Sequence, residues 1–170
     1  VQLPADSLLG EWNAGWRQMA GALLSERSGM FYLGWATRHL EWLVEHVRNG
    51  GELAVPRELV RLRLAQLRCE LEVAARFCRR VLWRQSRGEL PAHEVSMAKV
   101  YATELLQRIA QVATEALGQA GVLRPGAKGA PFGGLFGWEY VERIHPTISV
   151  GSNEIQRTAI ATAGLGLPRA

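Results

Sequence analysis

Two cysteines, two lysines and four histidines are all that 170 residues hold of those types, and each scarcity excludes something. Cys69 and Cys78 fall nine positions apart in one predicted helix, so roughly 13 Å of rise separates them and they cannot bridge. Both read as small buried apolar residues of a reducing compartment. His39, His46, His93 and His145 contain no i, i+4 pair. The nearest two are two turns apart, roughly 10 Å, too far for one ion, and no metal site is expected. No glycine-rich phosphate loop follows a strand, and no Ser, Cys or His constellation marks a nucleophile. No apolar run approaches the roughly 18 residues of a membrane span. The N-terminus also lacks the basic-then-apolar layout of a leader, so the expectation is a cytoplasmic, unanchored protein. Apolar residues never alternate with a period of two over a useful length, which leaves strands minor or absent.

What is present is a core, since 48% apolar and 21% charged residues are the composition of an ordinary globular domain. Three segments carry the helical period. Met30, Leu33, Thr37, Leu40, Val44 and Val47 form the first stripe. Val60, Leu64, Leu67, Leu71, Ala74, Cys78 and Leu82 form the second, and Val95, Ala98, Ala102, Leu105, Ile109, Val112 and Ala116 the third. Each predicts an amphipathic helix of more than about 20 residues. Asn49-Gly50-Gly51 ends the first, Pro56 suits the first turn of the second, and Gly88 with Pro91 separates second from third. Residues 118–137 hold seven glycines and two prolines and read as a long irregular loop. A short helix around Tyr140 to Ile144 is expected to stop near Pro146. A last helix starts at Ser152 or Asn153, either of which can cap it, and breaks at Gly164. The architecture predicted is all-α: an up-down-up-down four-helix bundle over residues 12–170, preceded by a linker over residues 1–11.

Of the 20 basic residues only Lys99 and Lys128 are lysines and the rest are arginines. Residues 57–87 carry nine arginines against Glu58, Glu70 and Glu72. That excess reads either as a solvated helix face or as an anion site. Nucleic acid is not expected, because the six tryptophans are spread along the chain and do not interleave with the arginines as stacking platforms would. The segment Thr147-Ile-Ser-Val-Gly-Ser-Asn-Glu-Ile-Gln-Arg157 runs from a turn into a helix N-terminus, where free N–H groups and the dipole favour an anion or a carbonyl.

These residues also carry a resemblance. Gly151-Ser-Asn-Glu-Ile-Gln-Arg157 resembles the Gly-Thr-x-x-Ile-Gln-Arg loop of the flavin-dependent acyl-CoA dehydrogenases, and Ala161-Thr-Ala-Gly-Leu-Gly-Leu-Pro-Arg169 is similar to the terminus of their actinobacterial branch. Leu9-Gly-Glu-x-Asn-x-Gly-Trp16, Ser25-Glu-Arg27 at the head of the first long helix, Ser96-x-x-Lys99 and Leu117-Gly-x-x-Gly121 follow in the family's order over nearly the whole chain. The resemblance covers the family's C-terminal bundle alone. It implies an N-terminal helical domain and a middle β-domain that this sequence does not include, so the chain reads as a fragment of a longer enzyme or as one that a partner completes.

The resemblance implies an FAD cofactor, an acyl-CoA substrate, a homo- or hetero-oligomer with a tetramer as the usual form, and an electron-transfer flavoprotein or similar acceptor. Removing the α-proton of a thioester requires a carboxylate base. Most members carry it immediately before the loop glycine, where Val150 stands here. A minority similar to isovaleryl-CoA dehydrogenase carry it on the first long helix just before an arginine, which makes Glu26 the candidate catalytic residue. The alternative for Glu26 is a helix cap or salt bridge. Gly151, Ser152 and Glu154 match loop positions near substrate or flavin, and Gly118 matches the site that receives the adenosine of a neighbouring subunit's FAD. The family's Arg-x-x-Phe-Gly motif is replaced by Asn49-Gly-Gly-Glu-Leu-Ala-Val-Pro56, so Arg48 or Arg57 would have to serve the neighbour's diphosphate. Ser28, Gly29 and Gly34 leave room for a wide acyl group or serve close helix packing. A bundle kept as scaffold, with the base lost at Val150, is the second reading.

Overall fold

The computed structural model describes residues 2–89 and 91–168, apart from the Ser25 side chain; Val1 of the predicted linker and Arg169 of the terminal motif lie outside them. Among these residues the chain is helical and contains no strand. It forms α1 (Gly15–Glu26), α2 (Met30–Arg48), α3 (Arg57–Ser86), α4 (Ala92–Leu117), α5 (Leu135–Glu142), α6 (His145–Ile148) and α7 (Asn153–Ala159), the last continuing into a π-helical turn over Ile160–Gly164. Short 3-10 turns occupy Ala5–Ser7, Gly118–Val122 and Pro131–Gly134.

The long helices obey the predicted stripes with two shifts. α4 buries Val95, Ala98, Ala102, Leu105, Ile109, Val112 and Ala116 as expected, and also Ser96, Lys99 and Thr103 beside them, because it packs on α2, α3, α5 and α7 at once. α3 buries its stripe from Val60 to Cys78 and then turns Val81 inward in place of the exposed Leu82. In α2 the buried face is Leu33, Ala36, His39, Leu40, Leu43 and Val47; of the predicted stripe Met30 is exposed and Thr37 and Val44 are half-buried, and α2 is 19 residues long, shorter than expected. α4 runs antiparallel to α3 and to α7, and parallel to α2, since Gly29 before α2 packs on Ala98 near the start of α4. Along α3 and α4, Arg80 pairs with Glu94 and Glu70 with Arg108. Ser96 meets Gln156 and Gly164 packs on His93, which sets α7 and its π-helical extension against α4 the same way.

The first long segment breaks in two. Ser28 and Gly29 separate α1 from α2, with Gly29 at φ 78 in the left-handed region that glycine adopts at little cost. Ser25-Glu26-Arg27 therefore stands at the C-terminal end of α1 and not at the head of the long helix. α5 starts at Leu135, earlier than the glycine content predicts. Pro146 initiates α6 where a stop was expected, since proline fits a first helical turn. Cys78 is buried, but Cys69 is exposed, contrary to the reading that both are internal. α2 ends at Asn49 as predicted; one of its last carbonyls, Val47 O, accepts from Arg57, which also donates at 2.9 Å to Gly51 O in the loop that follows.

Candidate functional site

Where α1 ends, a cavity of about 340 Å³ opens between Glu26, Arg27, Phe31, Tyr32, Lys99 and Val150. Four stretches of chain meet there: the α1–α2 turn, the start of α2, the first third of α4 and the bend before α7. Phe31 and Tyr32 pack ring edge to ring face at 5.8 Å. Glu26 lies exposed on the cavity and enters no ion pair among the described residues, although its charge acts on the adjacent Arg27.

The bend is the most constrained part of the wall. Val150 sits at φ 57 and Gly151 at φ 87. A β-branched residue in the left-handed region is a steric outlier that survives only where its surroundings hold it. Two cations do so. Arg27 Nε donates to Val150 O at 2.7 Å, and Lys99 Nζ donates to Gly151 O at 3.1 Å and to Asn153 Oδ1 at 2.7 Å. Gln156 Nε2 adds a bond to Gly151 O at 3.2 Å, and Gln156 Oε1 accepts from the Ser96 hydroxyl at 2.8 Å. Asn153 Nδ2 reaches Thr103 and Glu104. A side chain at position 151 would meet Gln156 Nε2 at 2.6 Å, which is the second reason for glycine there.

Ser152 caps α7 as predicted, its hydroxyl accepting from Ile155 N. Glu154 is exposed in the first turn of α7, and its own backbone N–H, followed by the Ser152 hydroxyl, holds its carboxyl below the ordinary value. Burial pushes the Arg27 guanidinium down, against the pull of Glu26. Burial, then the nearby positive charge of Arg27, lowers Lys99 to about 8, opposed by Glu154 and Glu104.

The fold brings Glu26, Val150, Gly151 and Ser152 to one end of the bundle, with Glu154 one turn further on. Gly118 is elsewhere: it follows the last residue of α4, about 27 Å of helix from Lys99. There it packs on Ala54, whose N–H donates to Ala116 O at 2.8 Å. The Arg57 guanidinium is partly engaged by carbonyls at and just beyond the end of α2, and with Arg48 it lines a groove apart from the Glu26 cavity. That groove, of about 700 Å³ between α2 and α3, is also lined by Arg61. Gly29 serves close packing, since a Cβ there would lie only 2.8 Å from Cys78 Sγ, whereas Gly34 faces open space.

Sequence reasoning named Lys99 only through a motif and gave it no role, and it did not place Phe31 or Tyr32 at the site. A signal for Lys99 was available. Ser96, Lys99 and Thr103 step by three and four along the edge of the apolar stripe of α4, in a chain that otherwise uses arginine for nearly every cation.

Among known proteins, the C-terminal domain of acyl-CoA dehydrogenases matches residues 13–165. The acyl-CoA dehydrogenase FadE26 of Mycobacterium tuberculosis is 33% identical over all of this chain, which spans 44% of that relative's length. The Tcur3481-Tcur3483 steroid acyl-CoA dehydrogenase superposes with a TM-score of 0.87 at 30% identity, over 99% of this chain and 44% of that one. The ChsE4-ChsE5 complex of Mycobacterium tuberculosis gives 0.70 at 32% identity, over 79% and 36%. With nine-tenths of its length matched to that domain and its bundle reproduced in such structures, the chain belongs to the acyl-CoA dehydrogenase family.

Proposed function

We propose that the chain is the C-terminal domain of an FAD-dependent acyl-CoA dehydrogenase, that it forms one wall of the flavin and substrate site, and that Glu26 is the base. The observation that carries this reading is that Glu26 and Val150 line the same cavity. A carboxylate on α1 thus addresses the space that a carboxylate at position 150 would serve, from a different backbone origin. Loss of the base from the loop then leaves the chemistry intact.

The wall suits a flat ring with polar edges, since it combines Phe31 and Tyr32 with the cations Arg27 and Lys99. FAD bound against it would supply the acceptor for the hydride leaving the β-carbon. Glu26 accepts the α-proton. Arg27 and Lys99 contribute positive potential that favours the negative charge building on the thioester oxygen as that proton leaves. The two aromatic side chains exclude water from the acyl group. Gly151 and Ser152 offer backbone to the cofactor, with the Ser152 hydroxyl engaged in capping α7, and Glu154 in the first turn of α7 adds negative charge near Lys99. Gly118 would receive the adenosine of a neighbouring subunit, with Arg48 as the cation for its diphosphate.

The reading is tested in the natural full-length product with whatever co-purifies, by adding acyl-CoA thioesters anaerobically and following the flavin band. Glu26→Gln is expected to retain flavin and to slow bleaching by about 10²–10⁴-fold, the usual contribution of a general base. Equal bleaching in both proteins would remove Glu26 from the chemistry. It would favour the second reading, a scaffold subunit of a heteromeric enzyme. Val150 supports that alternative, because valine accepts no proton. The family structures similar to this chain include a two-component complex, ChsE4-ChsE5, and a heteromeric assembly is proposed here with either reading.

A further inference from the structure

Lys99 is fully buried, and its contacts are more specific than a role in general electrostatics requires. Its ammonium carries three N–H donors. It bonds Gly151 O and Asn153 Oδ1, tying α4 to the bend and to the first residue of α7. Arg27, arriving from the α1–α2 turn, bonds the preceding carbonyl of Val150. Two successive carbonyls of a bend whose valine lies at φ 57 are therefore each gripped by a cation from a different element. Without such a grip the bend would relax, since the left-handed conformation is unfavourable for an ordinary residue and more so for a β-branched one.

We propose that Lys99 is a positioning residue whose ammonium clamps Gly151 and Asn153, holding the strained 150–151 bend as the fixed wall of the Glu26 cavity. The clamp acts on substrate through the bend, and in that respect it rests on the function proposed above.

Protonation governs the clamp. The charged groups facing Lys99 are Arg27 from the turn after α1, Glu104 on α4 itself and Glu154 on α7, with Glu26 on the shared cavity. Burial and Arg27 outweigh the two glutamates and bring the amine to about 8. Above that pH the bonds to Gly151 and Asn153 lose their charge assistance, and the bend loosens around an amine that stays buried; an opening that hydrated the amine would restore its ordinary value and be disfavoured by the same rise in pH. Global stability moves the other way. The ordinary value of 10.5 in the unfolded chain lies above the folded one, so between about 8 and 10.5 the unfolded state binds the extra proton. As far as this group is concerned, stability then rises with pH. A lysine that merely supported the core would move both quantities together.

The experiment is amide hydrogen exchange over residues 150–156 in the full-length protein at pH 7 and pH 9.5, corrected for intrinsic exchange, beside urea unfolding under the same conditions. Expected in the wild type is at least a tenfold loss of protection in this segment at pH 9.5, with no fall in the unfolding midpoint. Lys99→Met is expected to be poorly protected at both pH values and insensitive to the change. Wild-type protection that does not depend on pH would overturn the proposal, as would a Lys99→Met protein that keeps wild-type protection. If Lys99→Met fails to fold, the wild-type comparison decides alone. The exchange readout needs no turnover, so a wild-type flavin that does not respond to acyl-CoA would count against the enzymatic reading while the clamp is still judged on exchange.

Discussion

A Cβ on Gly29 would also approach the Ala98 carbonyl to 3.3 Å, at a φ that side chains avoid. Gly29→Ala is expected to cost about 2–4 kcal/mol, from left-handed strain together with overpacking, read as a lowered urea midpoint at unchanged slope. A cost under about 0.5 kcal/mol would mean that the turn is free to move. The sequence offered glycine here with two uses, room for a ligand or close packing, and could not choose, because the choice depends on α3 and α4 passing within contact distance. Cys69 is a miss of another kind, since nine residues of helix set it half a turn from Cys78, which the apolar stripe of α3 already contained. Val150 was legible as a missing carboxylate; that its backbone is strained and clamped was not, since the two cations responsible lie 123 and about 50 residues away along the chain.

At the scale of elements, periodicity located α2, α3 and α4 because each lays a stripe on a common core, whereas α7, which buries only the polar Asn153 and Gln156, was located by its cap. It missed α1 as a separate helix, since α1 contributes no fully buried residue among those described and its boundary is set by a single glycine turn. α5 is held by a device that leaves no periodic trace. Arg143 and Glu139 form a buried ion pair, with a second bond of 2.7 Å, inside a ring cluster where Arg143 lies 3.9 Å from Trp35 and 5.5 Å from Trp138. Glu139→Gln is expected to cost about 3–5 kcal/mol, because it strands a buried guanidinium. His39 Nδ1 lies 3.7 Å from the same carboxylate, and burial lowers its pKa below 6.5 in spite of Glu139. A folded value below the unfolded one means that stability falls as pH drops below about 6.5, where the unfolded chain gains the proton first. Urea midpoints measured from pH 7.5 to 5 should decline in the wild type more steeply than in His39→Gln; parallel curves would exclude His39 as a contributor.

The molecule as a whole presents large apolar groups outward. Trp12 is 83% and Trp16 79% exposed, and Trp83 is 54% exposed on α3, whereas Trp35 and Trp42 pack into the ring clusters of α2. Such surface is unusual for a free-standing domain. Light scattering on the full-length product is expected to give a mass of two or more chains, and a strict monomer would count against the proposed assembly. The all-helical fold was readable from periodicity and the family from the resemblance of its motifs, whereas the cavity was not, because it exists only where chain regions remote in sequence converge. The Arg27–Val150 bond joins positions 123 apart. Loop closure of that length comes after the local contacts of α2, α3 and α4 have formed. A chain that ends before Val150 would accordingly retain the packed helices and Glu26 while lacking the opposite wall. The Glu26 cavity, closed by that long-range contact, is thus expected to form late in folding and to be lost when the C-terminal bend undocks.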